Sequence, residues 1–233
     1  MADVRRVVGT TVVALAMIIS PGVTPGASVA EAAQPAPAIG PTAPAPVRNM
    51  AADESAAVRA VDGFWRRHFP QYFHRGYTSP RVTGPYHGSK GPSCDGERTL
   101  AFNAFYCKPQ DFLAWDDNLM SAGYQKIGDA WVYLIIAHEW GHAIQARLSK
   151  RWVSVAAELQ ADCLAGATLH GAQRDGLLRA DPGDDGEITR GLGAVADDYA
   201  WTASGDHGNA QQRVHAYQAG SQDGVAACFR TGQ

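Results

Sequence analysis

The spacing of apolar and polar residues divides this chain into distinct stretches. Residues 7–19 carry no charge, follow Arg5 and Arg6, and are broken by Pro21 and Gly22. Residues 31–52 are rich in Ala and Pro (QPAPAIGPTAPAP), a composition that buries little apolar surface and reads as an extended linker. Over residues 54–69, Val58, Val61, Phe64 and Trp65 recur at helical spacing, and Pro70 is expected to end that helix. Residues 76–108 are rich in Gly, Pro and Ser. They hold two short apolar runs, Thr99-Leu100-Ala101-Phe102 and Ala104-Phe105-Tyr106, which read as strands between turns. The run DFLAW at 111–115 reads as one more strand. From residue 129 helical spacing returns and predicts helices over about 129–148, 153–170, 187–201 and 209–219. A small N-terminal sheet followed by a mainly helical part is an α+β arrangement.

The uncharged N-terminal run is shorter than the ~20 residues that cross a bilayer as a helix. With two arginines before it and Ser28-Val29-Ala30 after it, it has the order of a secretory signal. Residues 1–30 therefore read as a signal peptide, with a retained N-terminal anchor as the alternative. Residues 31–52 read as linker and 53–233 as the folded domain. No later segment is long and apolar enough to span, so a mature chain without a membrane span is expected, secreted or in the cell envelope. Of 233 residues, 20 are Lys or Arg and 23 are Asp or Glu, a net charge of −3. Without a concentrated basic face, nucleic acid is not an expected partner. Cys94, Cys107, Cys163 and Cys228 allow three pairings. Local spacing favours Cys94–Cys107, leaving Cys163–Cys228. The competing use, a zinc site made of cysteines, would call for the C-x-x-C spacing that is missing here.

Within the helix expected at 129–148 stands His138-Glu139-Trp140-Gly141-His142, an H-E-x-x-H motif. Residues four apart project from one helical face, so two imidazoles can reach one metal ion. Glu139 is offset around the helix, beside the metal rather than on it, where a general base belongs. Gly141 weakens the helix by roughly 1 kcal/mol relative to Ala but lets another element pass close. Val132, Leu134, Ile135, Ile136 and Ala137 come just before, so the helix is buried on most sides. Two histidines and a glutamate are costly there unless something pairs with them. Hydrogen-bonded core histidines would explain one His, but not two plus a Glu in register.

A catalytic zinc ion takes three protein ligands and keeps one position open. The metzincin continuation needs Gly at 145 and His at 148, where this chain has Gln145 and Leu148. The next helix instead offers Glu158 and Asp162, four apart on one face. Glu158 suits the third ligand, and Asp162 is placed to accept the second ring N–H of a ligand histidine. The alternative is that both are solvated surface charges.

AHEWGHAIQ, AAELQADCLAGA and DHGNAQQRVHAYQAG, together with the FYC segment at 105–107, resemble the neutral zinc metallopeptidase family of secreted and envelope bacterial proteins. The resemblance covers about residues 61–229 and implies a zincin-like fold of the gluzincin type. It implies one catalytic zinc ion on His138, His142 and Glu158, with Glu139 as the base that hydrolyses a peptide or protein substrate. His207, which opens the HGNAQQR segment, is the candidate oxyanion donor; the alternative is that it merely caps a helix. Gln212 and Arg213 read as structural, bracing Asp162 or Glu158. His68, His74, His87, His170 and His215 lack partner spacing and read as surface or core residues. The stretch 105–115 offers a strand edge to an extended peptide. Two other classes share the same metal: a zinc amidase acting on cell-wall material, and a catalytically silent binding module.

Overall fold

The computed structural model describes residues 49–149, 156–197 and 207–229. The expected signal peptide and residues 31–48 of the expected linker lie outside these. So do residues 153–155 of the second expected motif helix and 198–201 of the third. Helix α1, Met50–Phe73, opens on Asn49, whose side chain accepts the Ala52 N–H at 3.3 Å. The helix thus starts inside the stretch read as linker. It buries Ala57, Ala60, Val61, Phe64, Trp65 and Phe69, the stripe of an amphipathic helix. Pro70 does not end it. The proline removes one donor, but Phe73 continues the helix by packing on Phe69 and Phe229, with ring centroids 4.8 and 5.4 Å away.

Three short strands follow: β1 (Arg81–Val82), β2 (Ala104–Cys107) and β3 (Phe112–Trp115). They form one sheet in the order β1-β3-β2, with β3 parallel to β1 and antiparallel to β2. Ala104 faces Trp115 and Cys107 faces Phe112, so β2 is an edge strand. Residues 99–102 are not a strand, against the expectation. Leu100 is 70% exposed, and Phe102 adopts φ 57°, a backbone conformation no strand uses. The buried Asp116 carboxylate holds that turn by accepting the N–H groups of Phe102, Gly88 and Asn118. Asp116 also caps helix α2, Asp117–Lys126, which the hydropathy pattern did not suggest. Only Leu119, Met120 and Gly123 of α2 are buried, too sparse a stripe to stand out.

Helix α3, Ala130–Arg147, carries buried residues on all its faces, among them Val132, Leu134, Ile136, Trp140 and Ile144. It packs on α1, α2, the sheet and α4, Ala157–Arg174. Arg147 ties its end to the sheet, with Nη2 2.9 Å from both Asp111 carboxylate oxygens and Nε 2.7 Å from the Thr78 carbonyl. Helix α5, Asp184–Ala194, starts earlier and stops sooner than the pattern at 187–201 suggested. Helix α6, Ala210–Asp223, packs along α4. The two come so close that a Cβ on Gly220 would lie 1.8 Å from the Cys163 carbonyl oxygen. Six α-helices and one three-stranded sheet among the described residues make the fold α+β. None of these helices is long and apolar enough to cross a membrane.

Cysteines pair as Cys94–Cys107 and Cys163–Cys228, the arrangement local spacing favoured. The second bond fastens α4 to the 3₁₀ turn Val225–Phe229. With partners 13 and 65 positions apart in sequence, loop-closure entropy alone would be worth ~3 and ~4 kcal/mol. Such bonds suit an oxidising compartment.

A candidate metal centre on two helices

His138 and His142 lie one turn apart on α3, and α4 crosses beside them. A Cβ on Gly141 would lie 3.0 Å from the Ala161 backbone, so glycine here allows the close approach expected of it. That approach brings Glu158 onto both rings. Its Oε2 is 3.2 Å from His138 Nε2, and its Oε1 is 3.3 Å from His142 Nε2. One ligand atom from each of the three residues lies within 4.8 Å of the other two. This group could hold a metal ion.

The far nitrogen of each ring is already engaged. His138 Nδ1 is 2.8 Å from Asp162 Oδ1, and His142 Nδ1 is 2.9 Å from Gln145 Oε1. Both partners accept, so each ring carries its proton on Nδ1 and turns the Nε2 lone pair toward Glu158. Two lone pairs and a carboxylate do not hold together without positive charge between them. Either both rings take up a second proton or a cation sits among them, and in that respect the donor set fits a metal. Without a metal, protons would serve. Burial opposes charge on His138, but Asp162 and then Glu158 outweigh it and push its pKa up to about 10. Burial likewise opposes charge on His142, and Glu158 more than offsets it, so its pKa is raised. Burial alone would raise the Glu158 pKa, yet the two imidazoles hold it far below the usual carboxylate range.

Asp162 is fully buried and orients His138. Arg213 of α6 meets it with two hydrogen bonds, Nε to Oδ2 at 2.9 Å and Nη2 to Oδ1 at 2.8 Å, and Nη1 donates to the Val195 carbonyl at 2.7 Å. Burial would raise the Asp162 pKa, but His138 and Arg213 lower it. Arg213 thus braces Asp162, as its place in the sequence suggested. Gln212 instead forms a capping box with Asn209 at the start of α6.

Glu139 faces a cavity of about 640 Å³ that His138, His142, Glu158, His207 and the edge strand β2 also line. His207 is outside the three-residue ligand group. Its backbone N–H and that of Gly208 donate to the Asp197 carboxylate at 2.9 and 2.8 Å, and its ring Nδ1 lies 3.4 Å from Asp197 Oδ1. Asp197 was not singled out by the sequence, and Gln145 only as a departure from the metzincin pattern; neither residue type signals its pairing by itself. Of the other histidines, His68 bonds Asp175 at 2.7 Å. A second carboxylate group, Asp129, Asp184 and Glu187, could also hold a cation. Asp184 and Glu187 already accept the N–H groups of Asp181 and Ala130 there.

No protein-family model matches the chain, and no solved structure matches it. It is similar to the Escherichia coli K12 protein named "Uncharacterized protein YpfJ", with 27% identity over 206 aligned positions covering 76% of this chain and 69% of that protein. The protein of the same name from E. coli O6:H1 strain CFT073 gives the same figures.

Proposed function

We infer that this chain is an exported zinc-dependent peptidase with a zincin-like fold, of the neutral zinc metallopeptidase type. The observation that carries this is the convergence of two imidazole Nε2 atoms and the Glu158 carboxylate, with Glu139 one residue along α3 facing the same cavity. Two imidazoles and a carboxylate suit zinc better than calcium or magnesium, which prefer all-oxygen sites. When bound, zinc would polarise a carbonyl and lower the pKa of a water toward ~7. Glu139 would accept a proton from the attacking water as its oxygen bonds the carbonyl carbon. It would return that proton to the amine nitrogen as the C–N bond breaks. His207, on the cavity wall, is suited to donate to the carbonyl oxygen as negative charge grows there. Asp197 holds the His207 backbone, and so keeps the ring on that wall. The edge strand β2 borders the same cavity and suits an extended peptide, which can pair with a free backbone edge.

The test is removal and return of the metal. The full chain, stripped with a chelator, is mixed with a diverse peptide pool and analysed by mass spectrometry before and after zinc is restored. Cleavage that disappears on stripping and returns with about one zinc per chain supports the reading. Cleavage that persists without metal contradicts it. Silence throughout, with zinc bound, would replace it with a non-peptide amide substrate or a binding role.

A further inference from the structure

Gln145 occupies an unusual position for a neutral residue. It is 7% exposed and touches one candidate ligand ring and the backbone beside another candidate ligand. Its Oε1 accepts from His142 Nδ1 at 2.9 Å, while its Nε2 donates to the Ala157 carbonyl at 2.7 Å and to Gln160 Oε1 at 3.1 Å. Ala157 directly precedes Glu158. Gln160 is buried as well, and its Nε2 donates to the Cys228 carbonyl at 3.0 Å.

These bonds leave no freedom in which way each amide points. The Cys228 carbonyl can only accept, so Gln160 presents its NH₂ there and its oxygen to Gln145. Gln145 must then present its NH₂ to Gln160 and Ala157, and its oxygen to His142. A ring facing an acceptor holds its proton on Nδ1, which frees Nε2 for a cation. The same amide fastens the first turn of α4, where Glu158 stands, to the last turns of α3.

We propose that Gln145 is a positioning residue of the metal centre, setting the tautomer and aim of His142 with its oxygen and the placement of Glu158 with its nitrogen. This rests on the metal centre inferred above. His138 is held by a charged carboxylate backed by Arg213, whereas His142 is held by a neutral amide relay that ends at the disulfide-bonded Cys228. The two ligand histidines are therefore oriented by different chemistry from different sides. Loss of a partner of this kind lowers metal affinity by about 10–100-fold.

The experiment measures zinc affinity of the metal-stripped full chain by competition with a chromophoric chelator, with circular dichroism as a check on folding. Gln145→Met keeps length and volume but offers His142 no oxygen, so its zinc affinity should fall about 10–100-fold with helical signal retained. Gln145→Glu keeps the acceptor and loses the donors. It should recover the part of that affinity that the oxygen contributes, so bind zinc more tightly than the Met variant but less tightly than the parent, while melting no higher than the Met variant. A merely structural amide would give the opposite order, with affinity following stability. Wild-type affinity in the Met variant overturns the proposal alone, and so does a Glu variant no better than Met. A wild-type chain that binds no zinc overturns the metal centre and this inference with it.

Discussion

Arg213 and Asp162 form a charged pair that is almost wholly buried, with 2% and 0% exposure. Surface ion pairs contribute ~1 kcal/mol or less, but removing one member of a buried pair strands the other charge and costs ~3–5 kcal/mol. Arg213→Met should therefore lower unfolding free energy by ~3–5 kcal/mol in denaturant titrations; a change below ~1 kcal/mol would mean Asp162 is already satisfied without it. Glu54 is the reverse case, a buried carboxylate with no cation paired to it among the described residues. Burial raises its pKa, the hydrogen bond from Trp115 Nε1 at 2.9 Å lowers it, and Asp117 raises it further, with a net increase. A raised folded pKa favours the folded state fully below the unfolded value of 4.5. That benefit is lost as pH rises through the folded value. Glu54→Gln keeps an acceptor for Trp115 and should be more stable than the parent at pH 8. The difference should shrink as pH falls toward 4.5, as urea midpoints across that range would register. A difference independent of pH would contradict the assignment. At this scale the group that could hold a metal ion was legible in part, because helical spacing puts 138 with 142, while Glu158 comes to them from the next helix. Gln145 was not, because an amide carries no charge to flag its pairing with His142 three residues earlier, and its other partners, Ala157 and Gln160, come from the next helix.

Elements were legible where their apolar stripes are dense. The α3 pattern lies within a residue of the structure because most of that helix is buried; α6, found within a few residues, buries only Arg213, Ala216, Tyr217 and Gly220. Helix α2 was missed because its buried stripe is short, and because what starts it is a single capping residue. Asp116 serves three neighbours at once: it caps α2, pins Gly88, and holds Phe102 in its left-handed turn. The two strand-like runs around residue 103 therefore had different fates, Ala104–Cys107 pairing with β3 while 99–102 turns away. Asp116→Ala should lose a helix cap and the acceptor of the Phe102 and Gly88 N–H groups, a cost of ~1–2 kcal/mol. Thermal denaturation with and without the substitution measures it, and a loss of only a few tenths would show that water replaces the carboxylate. Pro70 misled in the other direction: a missing donor near a helix end is a small penalty against two aromatic contacts made by Phe73.

As a whole the molecule brings a buried helix, a crossing helix and a sheet edge together around one cavity, and the Cys163–Cys228 bond fastens the crossing helix to the last turn. The α+β class followed from the order of patterns. The close approach of α4 to α3 was anticipated only through Gly141, and that of α6 to α4 was not, because a glycine in a sequence does not name the backbone it will meet. What the arrangement does chemically turns on one side chain, Glu139, which binds no metal in this account yet should be indispensable. The most direct measurement is peptide turnover by the Glu139→Gln chain beside its parent, both loaded with zinc and both assayed for bound metal. The expected result is one zinc in each and a fall in turnover of about 10²–10⁴-fold in the variant. Equal turnover by the two chains would contradict the assignment of this centre as the catalyst.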